Sequence, residues 1–148
     1  MKKLALTAAA ALAATTLTGA AVVPAISPAA GEAKVYTKRL VSRDLATHQL
    51  TRNTFTGAAV DRRDGHVVGY ESFSIHFHPK QGQADIWDSF ALRDGTISAV
   101  VHVRSLSDAV HHGRIINGTG KYRGARGTIA ARPAPHSDRT FITLRFHL

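Results

Sequence analysis

The sequence of 148 residues contains no cysteine. That absence excludes disulfides, thiol redox chemistry and a cysteine-borne lipid anchor. Aromatic residues make up 7% of the chain, too few for the stacking platform that single-stranded nucleic acid needs. Glutamate occurs only as Glu32 and Glu71. Familiar catalytic and phosphate-binding signatures are missing as well. Lys121 is followed by Tyr122 rather than Ser or Thr, so the nearby glycines do not complete a Walker-type loop. No Gly-x-Ser-x-Gly elbow marks a serine hydrolase, and helical periodicity is scarce.

Long apolar runs are confined to the N-terminus. Lys2 and Lys3 precede an uncharged, alanine-rich run from Leu4 to about Val23, and small residues crowd "SPAAGEA", Ser27 to Ala33. A basic start, an apolar middle and a small-residue exit predict a secretory signal peptide over residues 1–30, cleaved near 30–33. Thr15, Thr16, Thr18, Gly19 and Pro24 interrupt the run, which argues against a retained spanning helix. No twin arginine is present, so the general export route is expected. Residues 31–148 are then one secreted domain with no membrane span, long enough to be held by its own core.

Lys and Arg number 19 against 10 Asp and Glu, a formal charge of +9. The basic residues are scattered among apolar ones rather than clustered. That pattern predicts a solvated exterior with non-specific affinity for anionic surfaces, and no specific nucleic-acid partner.

What the chain does have is alternation. "TFTGAAV" (Thr54 to Val60) leads to the turn "RRDG" (Arg62 to Gly65), and "HVVGYESFSIHFH" runs from His66 to His78, where Pro79 stops it. "ADIWDSFALR" (Ala84 to Arg93) meets Asp94-Gly95, and "TISAVVHVR" continues to Arg104. Asp-Gly between such runs is a strong hairpin signal, because a type I′ turn wants positive φ at both central residues. "KVYTKRLV" (Lys34 to Val41) is an expected first strand, "SLSDAVHHG" a loop, and "RPAPHSD" a turn before the final strand "RTFITLRFHL". Seven or eight short-connected strands predict an all-β closed barrel or sandwich.

The stretch "IINGTGKYRGARGTIA", Ile115 to Ala130, flows into a strand-like run rather than a helix. Its glycines therefore fit a bend or barrel corner better than a phosphate cradle. Here the residues carry a resemblance. Gly118, Thr119, Gly120, Tyr122, Ala125, Arg126 and Gly127 match the Gly-Gly-Thr-Gly-x-Tyr/Phe-x-x-Ala-Arg-Gly signature of the allene oxide cyclase-like superfamily, which includes plant dirigent proteins. Asn117 stands in place of the first glycine, and "DGHVVG" (Asp64 to Gly69) and "FALRDGTI" (Phe90 to Ile97) are similar to the family's upstream segments. The resemblance covers about residue 50 to the end. It implies an eight-stranded antiparallel closed barrel around an apolar central cavity, and a homo-oligomer, trimer or dimer. It also implies that Ile75 and Ile86 occupy positions where secreted bacterial relatives carry two cysteines, so an aliphatic pair replaces a disulfide.

Alternation assigns faces. Val67, Gly69, Glu71, Phe73, Ile75 and Phe77 share one side of their strand, and Ile86, Asp88, Phe90 and Leu92 share one side of the next. Glu71 and Asp88 thus face inward and are candidate acid and base, since desolvation raises a carboxyl's pKa. The alternative is that both sit near barrel mouths, reached by water. Arg126 matches the family's Ala-Arg-Gly arginine, which the resemblance places near the pocket, yet its parity opposite Ala125 and Gly127 argues for the outer face. His76 and His78 share the spacing of cupin metal ligands, but no following carboxylate or second histidine motif completes the set. The expected state of these histidines is solvated on the outer face, and no metal or cofactor is assigned.

Two functions remain open. One is a secreted barrel that binds a small apolar molecule. The other is a cyclase, isomerase or stereo-directing protein acting on a small reactive substrate. The family's plant cyclases rely on a glutamate and asparagines in their first strands, and this chain has only Glu32 and Glu71, which argues against allene oxide cyclisation itself.

Overall fold

The computed structural model describes residues 34–106 and 109–148; the expected leader lies outside the described residues. Eight antiparallel strands close into a barrel in simple sequence order. They are β1 (Tyr36–Thr51), β2 (Thr54–Arg63), β3 (His66–His78), β4 (Gln83–Leu92), β5 (Gly95–Val103), β6 (His111–Gly118), β7 (Arg126–Pro133) and β8 (Arg139–His147). β1 pairs with β8 from Tyr36↔Phe146 to Arg43↔Arg139, so no strand edge is left open. Among the described residues there is no α-helix, only a 3₁₀ turn at Gly120–Tyr122.

One half of the barrel is packed solid. Phe90, Ile97, Ile115, Ala125, Ile129, Leu144 and Phe146 are almost fully buried there. Tyr122 packs into the same cluster from the 3₁₀ turn, its ring edge-on to Phe146 with centroids 6.0 Å apart. The glycine stretch exists to make this turn. Gly120 holds φ at +58°, and a side chain there would collide with the Asp94 carbonyl. The backbone is bent and docked, as expected.

Three local expectations are corrected. β1 runs ten residues beyond Val41, because the polar stretch to Thr51 pairs with β2 despite lacking apolar alternation. His111 and His112 open β6 instead of lying in a loop, paired with Ala131 and Ala130. Of the two Asp-Gly turns, only Asp64-Gly65 has positive φ at both residues; at Asp94-Gly95 only Gly95 does. There the Asp94 carbonyl accepts the Lys121 N–H at 2.9 Å, so the glycine loop dictates the turn.

Bulges set which residues face inward. The β2–β3 register jumps between Asp61↔Gly69 and Arg62↔Val67, leaving Val68 as the extra residue. Val67 is consequently exposed, against the inward position its parity predicts, and Val68 packs against the core. A second shift, between Asp44 and Ala46, does the same in β1.

Candidate functional site

The other half of the barrel holds a pocket of about 400 Å³, within the range of small-molecule sites. Its walls include Phe55, Phe73, Ile75, Phe77, Ile86 and Ile142. Ile75 and Ile86 are direct cross-strand partners, the aliphatic pair that the resemblance implied. Gly57 lies opposite Phe73 on the neighbouring strand. A side chain at 57 would run into the Phe73 ring and the Ala46 carbonyl, so the glycine makes room for the aromatic wall.

Carboxyl groups gather at the packed end of this pocket. Ser42 and Asp61 are cross-strand partners on β1 and β2. Asp61 pairs with Gly69, and Glu71 lies two residues further along β3. Glu71 pairs in turn with Phe90, and Asp88 lies diagonally from it on β4. Four successive strands thus place Ser42, Asp61, Glu71 and Asp88 in one slanted band. All four are buried, at 3%, 0%, 7% and 8% exposure. Asp44 lines the pocket nearer the solvent.

No interior cation balances the band among the described ion pairs. Ser42 Oγ donates to Glu71 Oε2 at 2.6 Å. Both oxygens of Asp61 and Oδ1 of Asp88 lack any hydrogen-bond partner. Burial is the main cause that raises all three carboxyls, because the low-dielectric interior penalises the charged form. Asp61 is pushed up to about 7, with the neighbouring Glu71 charge adding to the effect. Glu71 is raised by burial and by the Asp88 charge, and the Ser42 hydroxyl pulls it partly back. Asp88 is raised by burial, its contact with Glu71 acting the other way. Burial thus favours the protonated form in this band, and a carboxyl donates when protonated and accepts when ionised.

The sequence-predicted residues divide. Glu71 and Asp88 come together in the pocket. Arg126 does not join them: it is exposed at the start of β7, with Nη1 donating to the Ala125 carbonyl at 2.9 Å. Asp61, Ser42 and Gly57 were not singled out from sequence. Asp61 shares parity with Phe55, Gly57 and Ala59, a signal hidden by ending that strand at Val60.

The outer-face histidines are more engaged than expected. His78 Nε2 and His102 Nδ1 contact the two oxygens of Asp85 at 2.9 and 2.5 Å, and His76 meets Thr54 at 3.1 Å. Among the described residues no group of three or more His, Cys, Asp or Glu is placed to hold a metal ion.

No protein-family model matches the chain, and no curated protein sequence does so. Solved structures do. A pyocyanin demethylase superposes with a TM-score of 0.62 at 17% identity, over 74% of this chain and 99% of that one. The likeness is one of fold, a closed eight-stranded antiparallel barrel shared with solved dirigent structures. The pterocarpan synthase dirigent protein GePTS1 gives a TM-score of 0.58 at 18% identity, covering 86% and 99% of the two chains. AbnU, an exo-specific intermolecular Diels-Alderase, gives 0.60 at 14%, covering 78% and 99%. At such identities the likeness fixes the dirigent-type fold and leaves the chemistry to the site.

Proposed function

We propose that this dirigent-type barrel is a secreted protein that holds a small, mainly apolar molecule in its pocket, with the molecule's polar end against Glu71 and Asp88. The observation that carries this reading is the pocket's two-part lining. Aromatic and aliphatic walls supply desolvation for the body of a ligand, at roughly 25 cal/mol per Å² of apolar surface buried. Glu71 and Asp88, one edge of the same space, supply the oriented hydrogen bonds that give specificity. The basic start, apolar run and small-residue exit at the N-terminus support export. The test is native mass spectrometry of protein purified from its producing culture, beside titration with the neutral fluorophore N-phenyl-1-naphthylamine. A non-covalent small-molecule mass, or saturable fluorophore binding weakened in Phe73→Ala, is expected. No bound mass together with no saturable binding overturns the proposal.

A second reading has its own support: two neighbouring buried carboxyls, Glu71 and Asp88, both raised above the usual carboxylate range by burial. A protonated carboxyl gives its proton to one atom of a bound molecule while its ionised neighbour takes a proton from another atom. The pair ends with the charge it began with. That is isomerisation or ring closure by general acid–base catalysis in a site that also fixes the substrate's conformation. The three structural neighbours bear names of catalytic or stereo-directing proteins, which supports this reading. Recovery of the co-purified molecule unchanged after incubation favours binding; recovery of an isomer, abolished by Glu71→Gln with Asp88→Asn, favours catalysis.

A further inference from the structure

The outer wall carries a second feature, independent of the interior pocket. The ladder registers put Arg62, Val41, Phe141 and Arg132 in one row across β2, β1, β8 and β7. Two arginines thereby flank an apolar floor. Neighbouring strands lie about 4.8 Å apart, so the Cα atoms of Arg62 and Arg132 stand on the order of 14 Å from each other. In the next outward row Arg43 lies directly opposite Arg139, a like-charge pairing that Asp138 offsets from the Arg43 side. Two adjoining hollows, of about 450 and 380 Å³, run along these rows and share Val41, Arg62 and Asp64.

Charge in this groove is far from balanced. Six arginines line the two hollows against one carboxylate, Asp64. Asp64 is taken by Arg63 at 3.5 Å, and Arg43 is taken by Asp138 at 2.7 Å. Arg39, Arg132 and Arg139 have no ion pair among the described residues. Arg132 is already oriented: its guanidinium stacks over the Phe141 ring at 4.8 Å, so little rotamer freedom is lost when it meets an anion.

We propose that this groove binds an acidic polysaccharide, with carboxylate or sulfate groups on Arg62 and Arg132 and the sugar backbone crossing Val41 and Phe141. A lone anion answers one end of the row, whereas a chain with repeated anionic groups spans both. A nucleic acid fits poorly, because among the described residues Phe141 is the only aromatic side chain lining the groove and one of its faces is taken by Arg132.

The experiment is calorimetric titration of the purified protein with polygalacturonate across a salt series, with a DNA duplex in parallel. Arg62→Gln with Arg132→Gln is compared with Lys80→Gln, a basic residue in the turn between β3 and β4. Each paired cation releases about one condensed counterion, so the double variant is expected to flatten the slope of log affinity against log salt by about two and to weaken binding at least tenfold. Lys80→Gln is expected to leave both unchanged. Equal losses in both variants, no binding by the wild type, or tighter binding to DNA than to polygalacturonate overturns the proposal. So does a wild-type oligomer that the double variant dissociates, since the face is then an interface between copies of the chain.

Discussion

Ser42 on β1 reaches across the barrel interior to donate its hydroxyl to Glu71 on β3, strands that do not pair with each other. That bond ties the carboxyl band to β1 and helps fix Glu71 at the pocket.

Ser42→Ala removes the donor and leaves a buried carboxylate oxygen unsatisfied, at a cost of about 1–3 kcal/mol. Because the hydroxyl pulls the Glu71 pKa down, its loss moves the Glu71 titration further up. Denaturant unfolding at neutral pH checks the first expectation, and carbon-detected NMR titration of the Glu71 carboxyl checks the second. A titration midpoint that stays in place or falls contradicts the assignment.

Stability is expected to rise as the solution is acidified from about pH 7.5 to pH 4.5. Asp61, Glu71 and Asp88 all titrate above their ordinary range in the folded protein. A raised carboxyl binds its proton more tightly folded than unfolded, so its contribution is present below the unfolded pKa and lost as pH rises through the folded one. For Asp61 that window runs from about 4 to about 7. Thermal melts across this range, with Asp61→Asn giving a flatter profile, test it. A wild-type profile that falls on acidification between those limits is incompatible with a buried acidic band.

Gly57→Val is expected to displace the Phe73 ring and shrink the pocket. Overpacking of this kind costs roughly 1–3 kcal/mol, leaving a folded barrel that binds N-phenyl-1-naphthylamine weakly. Circular dichroism establishes the fold and fluorescence titration the binding. Unchanged fluorophore affinity in a folded variant removes Phe73 from the site.

Much of the barrel was legible because β-structure writes itself locally. Pro79 ends β3 at His78, and the two Asp-Gly pairs mark the hairpins around β2–β3 and β4–β5. Strict alternation carried Glu71 and Asp88 inward. Alternation failed where a single extra residue reset it: Val68 turned Val67 out to solvent, and no composition rule signals such an insertion. The polar second half of β1 was not read as strand because its partner, β2, supplies the ordering that its own side chains do not.

The succession of strands and hairpins, the inward parity of Glu71 and Asp88 and the bend at the glycine stretch were determined by sequence alone, since each depends on residues within a few positions of one another. Closure, by contrast, needs β1 to meet β8 across the length of the chain. Only the tertiary structure decided that Asp61 and Ser42 join Glu71 and Asp88, that Gly57 yields space to Phe73, and that scattered arginines align into one groove. Register between strands distant in sequence makes those neighbours. It is set by the summed pairing of the closed barrel rather than by any one segment.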